Sequence, residues 1–263
     1  MKNFDALTTQ YSAKNAYSLG LCAKLVYQDP SVIENTVKNE WGMKKFNFIH
    51  QEETECFIAG DDQKIIVAFR GTEPTEIKDI RTNVKFILVD GYLEGKVHRG
   101  FKEALELVWD EMVFTLNQFQ DQDQSLWFTG HSLGAALATL AVAKLIDTID
   151  PPIYGLYTFG QPRVGNKDFA KSFDIFIKER TFRFVNNNDA VTRLPFRSMG
   201  YRHIGTSKYI NHDFLIHHDI SPWQMLLDNI EGRLEEIGKP GTDGVKDHDM
   251  SLYLHALELT LPR

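Results

Sequence analysis

Ser132 lies in the run Gly130-His131-Ser132-Leu133-Gly134. That spacing suits a serine carried on a sharp turn between a strand and a helix, with its hydroxyl pushed outward at the end of a sheet. Such a turn strains the serine backbone and crowds both flanking positions, and glycine on either side relieves the crowding. Three fixed positions are a short signal, so the surroundings matter. A buried strand pattern at 125–129 precedes the turn, and an alanine-rich helical pattern at 133–146 follows it. Small residues there let the helix pack close to a sheet. A serine hydroxyl is a weak nucleophile unless a base takes its proton and a third group orients that base. On this kind of elbow both partners follow the serine in the chain.

Asp189 is the candidate acid. It ends the run Phe-Arg-Phe-Val-Asn-Asn-Asn-Asp over 182–189, just past the carboxyl end of a strand, which is the rim where ligands sit in open α/β sheets. An aspartate that only shapes an Asx-turn is the alternative, since the asparagines are also good turn formers. The base is harder to choose. Of nine histidines, six follow Asp189: His203, His212, His217, His218, His248 and His255. His248 occupies a polar turn before the last helical pattern, after a stretch rich in Gly and Pro at 238–244, so its loop can swing to the rim. Spacing favours His248 and leaves His217 and His218 open. His255 falls inside a helical pattern and reads as structural. His131 reads as a spacer held by packing. The cluster His212, Asp213, His217, His218 and Asp219 matches no metal-ligand spacing and reads as structural or surface. The reading requires no cofactor and no metal.

These residues need a scaffold. Apolar residues at a period near 3.6 predict a helix over 10–28, stopped by Pro30, and a shorter one over 31–40. Alternation then predicts three strands, around Phe46 and Phe48, around Cys56 and Ile58, and over 65–69, the last buried on both faces. A long helix follows Gly100. Strands are expected at 125–129, 154–159 and 181–185, helices at 133–146, 169–177, 222–237 and 250–259, and a short hairpin at 201–210. Strand followed by helix, repeated, is the pattern of an α/β fold with a mostly parallel central sheet covered by helices on both faces. With no repeat, linker or low-complexity tract, residues 1–263 read as one domain.

Bulk properties agree. Hydrophobic residues make up 43% and charged residues 25% of 263, ordinary for a globular chain able to bury a core. The net charge of −7 works against a nucleic-acid partner. Cys22 and Cys56 show no metal or redox spacing; two buried thiols are expected, with a disulfide as the alternative. No stretch reaches the roughly 20 apolar residues of a transmembrane helix. The N-terminus lacks signal-peptide character, which favours a cytoplasmic location over secretion.

With these residues in place, the sequence resembles the class 3, or fungal-type, triacylglycerol lipases of the α/β-hydrolase superfamily. Five blocks carry the resemblance in order: Phe-Arg-Gly-Thr-Glu at 69–73, Val-His-Arg-Gly-Phe at 97–101, Gly-His-Ser-Leu-Gly at 130–134, Thr-Phe-Gly-Gln-Pro-Arg-Val-Gly at 158–165, and Asn-Asp-Ala-Val-Thr-Arg-Leu-Pro at 188–195. The Asp-His pair at 247–248 matches as well. The resemblance implies a Ser132–His248–Asp189 triad that hydrolyses carboxylic esters of lipids. It implies an oxyanion hole from the N–H of Leu133 and from Thr72. His98 is expected to brace a loop near the site, and 161–165 to shape its rim by packing. The family's lid corresponds to residues 74–89. There Ile77, Ile80 and Val84 share one face, but that face is modest, lacks tryptophan and is surrounded by charge. Weak interfacial activation and only transient lipid contact are therefore expected. Phospholipase A1 or short-chain or aromatic carboxylesterase activity is the alternative. A non-catalytic lipid-binding protein on the same scaffold is the more distant one.

Overall fold

Strand residues point alternately to the two faces of a sheet, and the central strands of this chain are apolar on both. The computed structural model describes residue 1 and residues 3–72, 86–149, 151–218 and 246–261. The chain opens with α1 (Ala13–Leu25), capped by the Ser12 side chain, and α2 (Pro30–Asn35), prolonged by a π-helical turn over Thr36–Glu40. Strands β1 (Lys45–Gln51), β2 (Thr54–Gly60) and β3 (Lys64–Phe69) follow, then β4 (Leu88–Asp90) and β5 (Lys96–His98). Next come α3 (Arg99–Phe119), β6 (Ser125–His131), α4 (Leu133–Thr148), β7 (Ile153–Phe159), β8 (Gly165–Asn166) and α5 (Lys167–Ile177). Strands β9 (Thr181–Asn186), β10 (Tyr201–Arg202), β11 (Thr206–Ile210) and β12 (Ile216–His218) precede α6 (Met250–Leu259).

The main sheet runs β1-β2-β3-β6-β7-β9-β11-β12. Pairing is parallel from β3 across to β11 and antiparallel at both margins. The expected parallel sheet is thus its centre. Ile65, Val67, Leu126, Phe128 and Leu156 face the side covered by α3, α4 and α5. Ile66, Ala68, Trp127, Tyr157 and Phe159 face the side covered by α1 and α6. Cys22 and Cys56 are buried free thiols on opposite faces, which decides against the disulfide.

A second sheet, β10-β8-β5-β4, is built from strands of two or three residues, too short for a period of two to announce. It corrects the hairpin expected at 201–210. Tyr201–Arg202 pairs with Gly165–Asn166, whereas Thr206–Ile210 joins the main sheet beside β9. The hairpin partner of β11 is β12. The helix expected at 222–237 lies outside the described residues, as does 73–85, most of the expected lid. The last residues of that lid segment belong to β4.

Candidate active site

The parallel strands β3, β6, β7 and β9 end at one rim, and each delivers a piece of the site there. At the end of β6 the chain turns through Ser132, whose φ is 57° and ψ −126°, a strained conformation for a residue with a side chain. Its N–H donates to Phe159 O at 3.0 Å, so the parallel ladder continues into the elbow. The flanking glycines are required sterically. A Cβ at Gly130 would collide with the Gly134 carbonyl, and one at Gly134 with the Phe69 carbonyl at the end of β3.

Asp189 follows β9, and its N–H donates to Asn186 O at 2.8 Å. Its two oxygens divide the roles that the sequence left as alternatives. Oδ1 accepts the Val191 N–H at 2.9 Å and makes the local turn, while Oδ2 accepts from His248 Nδ1 at 2.8 Å. The Tyr253 hydroxyl, one turn into α6, donates to the same Oδ2 at 2.5 Å and accepts the Asn186 N–H at 3.1 Å. Burial alone would raise the Asp189 carboxyl. The charge and hydrogen bond of His248, with the Tyr253 hydrogen bond, outweigh it and hold the carboxyl below its usual value. The Tyr253 hydroxyl is in turn pushed well above its usual value, by burial first and then by the carboxylate. Because His248 Nδ1 donates to a carboxylate, Nε2 of the neutral ring is an acceptor. That Nε2 is buried and has no hydrogen-bond partner among the described residues.

The loop bearing His248 is tied down on two sides. The asparagine run grips Asp247: Asn186 Nδ2 donates to its carbonyl at 2.8 Å, while Asn187 Nδ2 at 3.2 Å and the Asn188 N–H at 3.1 Å donate to Oδ2. His131 supplies the second tie. It shares the β6 face with Trp127 and Thr129, and its Nε2 bonds the His248 carbonyl at 2.7 Å. A carbonyl only accepts, so Nε2 carries the proton and Nδ1 accepts from the Tyr27 hydroxyl at 3.0 Å. Burial first, and the neighbouring His248 second, lower the His131 pKa to about 3, so the ring stays neutral. His131 is thus held by packing against His248, Tyr253 and Tyr27, as the sequence suggested, and its hydrogen bonds make it a positioning residue as well. Tyr253, the grip on Asp247 and this bond are what sequence reasoning missed. The one available signal was the position of His131 on the same face of the buried strand β6 as Trp127 and Thr129.

Thr72, half-buried, follows β3 by three residues. The preceding Gly71 runs directly against the elbow: a Cβ there would stand 3.1 Å from Ser132 Cβ and collide with His131 O. His98 is the N-cap of α3, its Nδ1 accepting the Phe101 N–H at 3.2 Å, which agrees with the expected brace. His217 and His218 lie on β12 at the sheet margin, where His218 Nδ1 meets Lys208 Nζ at 2.7 Å. Neither makes the contact to Asp189 that His248 makes. His255 is exposed on α6, with its ring edge-on to Phe214.

Residues 66–199 match the class 3 lipase profile over about half of the chain, a span that contains Ser132 and Asp189. The chain belongs to the class 3 lipase family. It is 31% identical over 246 residues to a triacylglycerol lipase of Arabidopsis thaliana, covering 70% of this chain and 47% of that one. A secreted mono- and diacylglycerol lipase of Malassezia restricta is 36% identical over 170 residues, covering 61% and 56%. The chain spans about half the length of these curated relatives. Among solved structures it resembles the Rhizomucor miehei triacylglyceride lipase with a TM-score of 0.68 and 25% identity, over 88% of this chain and 90% of that one. The fold of this class 3 lipase family member is thus the α/β-hydrolase fold.

Proposed function

We propose that this chain hydrolyses carboxylic esters of lipids, acylglycerols foremost, through Ser132, His248 and Asp189. The observation that carries the reading is the buried His248–Asp189 pair, bonded at 2.8 Å, on the same rim as a serine held at positive φ. Ser132 Oγ attacks the ester carbonyl while His248 Nε2 takes its proton. Asp189 fixes the Nδ1–H tautomer and stabilises the imidazolium. The tetrahedral oxyanion is met by the N–H of Leu133, the first residue of α4, where a helix amide has no intrahelical acceptor. Thr72 supplies the second donor. The imidazolium then protonates the leaving alcohol, and water repeats the sequence on the acyl-enzyme.

A fluorophosphonate probe tests this directly, since it should label the native chain at Ser132. Ser132→Ala should abolish labelling and lower ester hydrolysis by at least about a thousandfold. Retained hydrolysis in that variant would remove the catalytic reading and leave the lipid-binding one. Rates on dispersed acylglycerols, phospholipids and soluble short-chain esters then separate lipase from phospholipase and carboxylesterase.

A further inference from the structure

Between Asp189 and Asp213 the chain has no acidic side chain, but it carries Arg193, Arg197, Arg202 and Lys208, in a protein of net charge −7. Part of this stretch forms an exposed turn a few residues after Asp189 in the chain. Arg197–Met199 forms a single 3-10 turn closed by Gly200 at φ 90°. The two apolar side chains of the turn point outward: Phe196 is 55% and Met199 43% exposed. The turn is held from within. Arg163 Nη1 donates to Pro195 O at 2.9 Å, and Arg202 Nη1 donates to Arg197 O at 3.0 Å and Tyr201 O at 2.7 Å. Among the described residues, Arg163, Arg197 and Arg202 have no carboxylate partner, and after burial their mutual repulsion is the cause that lowers the Arg163 pKa to about 10. The turn also lies beside β4, where the expected lid segment ends: a Cβ added at Gly200 would come within 3.8 Å of Leu88 Cδ1.

We propose that the turn Phe196–Met199, with Arg197 and Arg202, docks this chain on an anionic phospholipid surface. Single exposed apolar residues are common. Two on one hydrogen-bonded turn, flanked by guanidiniums without a carboxylate partner among the described residues of a protein of net negative charge, fit an interface whose phosphates meet the arginines while the apolar tips enter the acyl boundary. A soluble anion would use the charge and leave Phe196 and Met199 without a role. The inference deepens the ester-hydrolase reading by naming the kind of surface that presents the substrate. It rests on that reading for its purpose alone, because binding is measured without catalysis.

The test is sedimentation of the full chain with vesicles of ether-linked phospholipid, which contain no acyl ester. One set is phosphatidylcholine alone, and the other is phosphatidylcholine with phosphatidylglycerol in equal parts. The native chain should bind the anionic set and not the neutral one, more weakly at high salt. Arg197→Gln should weaken anionic binding about fivefold, and Phe196→Ser with Met199→Ser about tenfold or more, both at an unchanged thermal midpoint. Absence of binding, equal binding to both sets, or variants that bind like the native chain would each overturn the proposal. Fluorophosphonate labelling of Ser132 in the same samples reports separately on the catalytic reading.

Discussion

Tyr253 has the most to lose from one missing atom. Its hydroxyl donates to Asp189 and accepts the Asn186 N–H, both in the interior. Tyr253→Phe leaves a buried amide without an acceptor, which costs about 1–3 kcal/mol. It also releases the Asp189 carboxyl from one of the bonds that hold it down. Urea denaturation should show the stability loss, and kcat/KM on a soluble ester should fall about tenfold, the worth of one such bond in orienting the acid. An unchanged variant on both measures would mean that His248 and the Val191 N–H suffice to orient Asp189. At this scale the sequence was partly legible. Ser132 was readable because glycine is sterically required on both sides of it. Asp189 was readable because it follows a strand. The partners of Asp189 were not, because a tyrosine in a helix carries no mark of the carboxylate it will meet.

The elements were legible where they are long and periodic. The strands through the centre and the helices at 133–148 and 250–259 follow directly from their apolar spacing. What spacing does not encode is how strand ends converge. Gly160, just past β7, shows this. Its φ is 59°, and a Cβ there would lie 2.7 Å from His248 Cε1, 2.8 Å from Nδ1 and 3.0 Å from Asp189 Oδ2. The position must be glycine both for its backbone angle and because the imidazole–carboxylate pair fills the space. Gly160→Ala should displace the His248 ring by a fraction of an ångström to an ångström and cost about 1–3 kcal/mol in crowding. A displacement of that size in a catalytic group lowers rate by about a hundredfold. Kinetics and a thermal melt on the same sample separate the two effects: kcat/KM should collapse while the midpoint falls only modestly. The lone glycine in Thr-Phe-Gly-Gln-Pro therefore leaves room for the site, whereas the sequence suggested only rim packing. Gln161 beside it is buried, and its Oε1 accepts the Thr158 hydroxyl at 2.6 Å.

For the molecule as a whole, burying neutral imidazoles sets its response to acid. Burial lowers the His98 pKa to about 4, and burial together with His248 lowers that of His131 to about 3. His203 is also lowered well below its usual value, by burial and then by Arg183 and Arg163. Each is a base whose folded pKa lies below its unfolded one. The unfolded chain therefore takes up protons below about pH 6.5 that the native state refuses. The stability these groups contribute is intact above that pH. It is lost as pH falls from about 6.5 toward 4 for His98 and toward 3 for His131. Asp189, also depressed, adds its loss only below the ordinary carboxylate range. Unfolding free energy should thus decline steeply from pH 6.5 downward, with each histidine contributing up to about 1.4 kcal/mol per pH unit. His98→Asn isolates one of them. Asparagine keeps an oxygen to cap the Phe101 N–H and removes the titrating ring. Urea midpoints measured between pH 4 and 8 (~one-unit steps suffice at this slope) should show a shallower acid limb by up to one proton in the variant. Parallel limbs in the two proteins would mean that His98 is protonated in the native state, at odds with its Nδ1 accepting the backbone amide of α3.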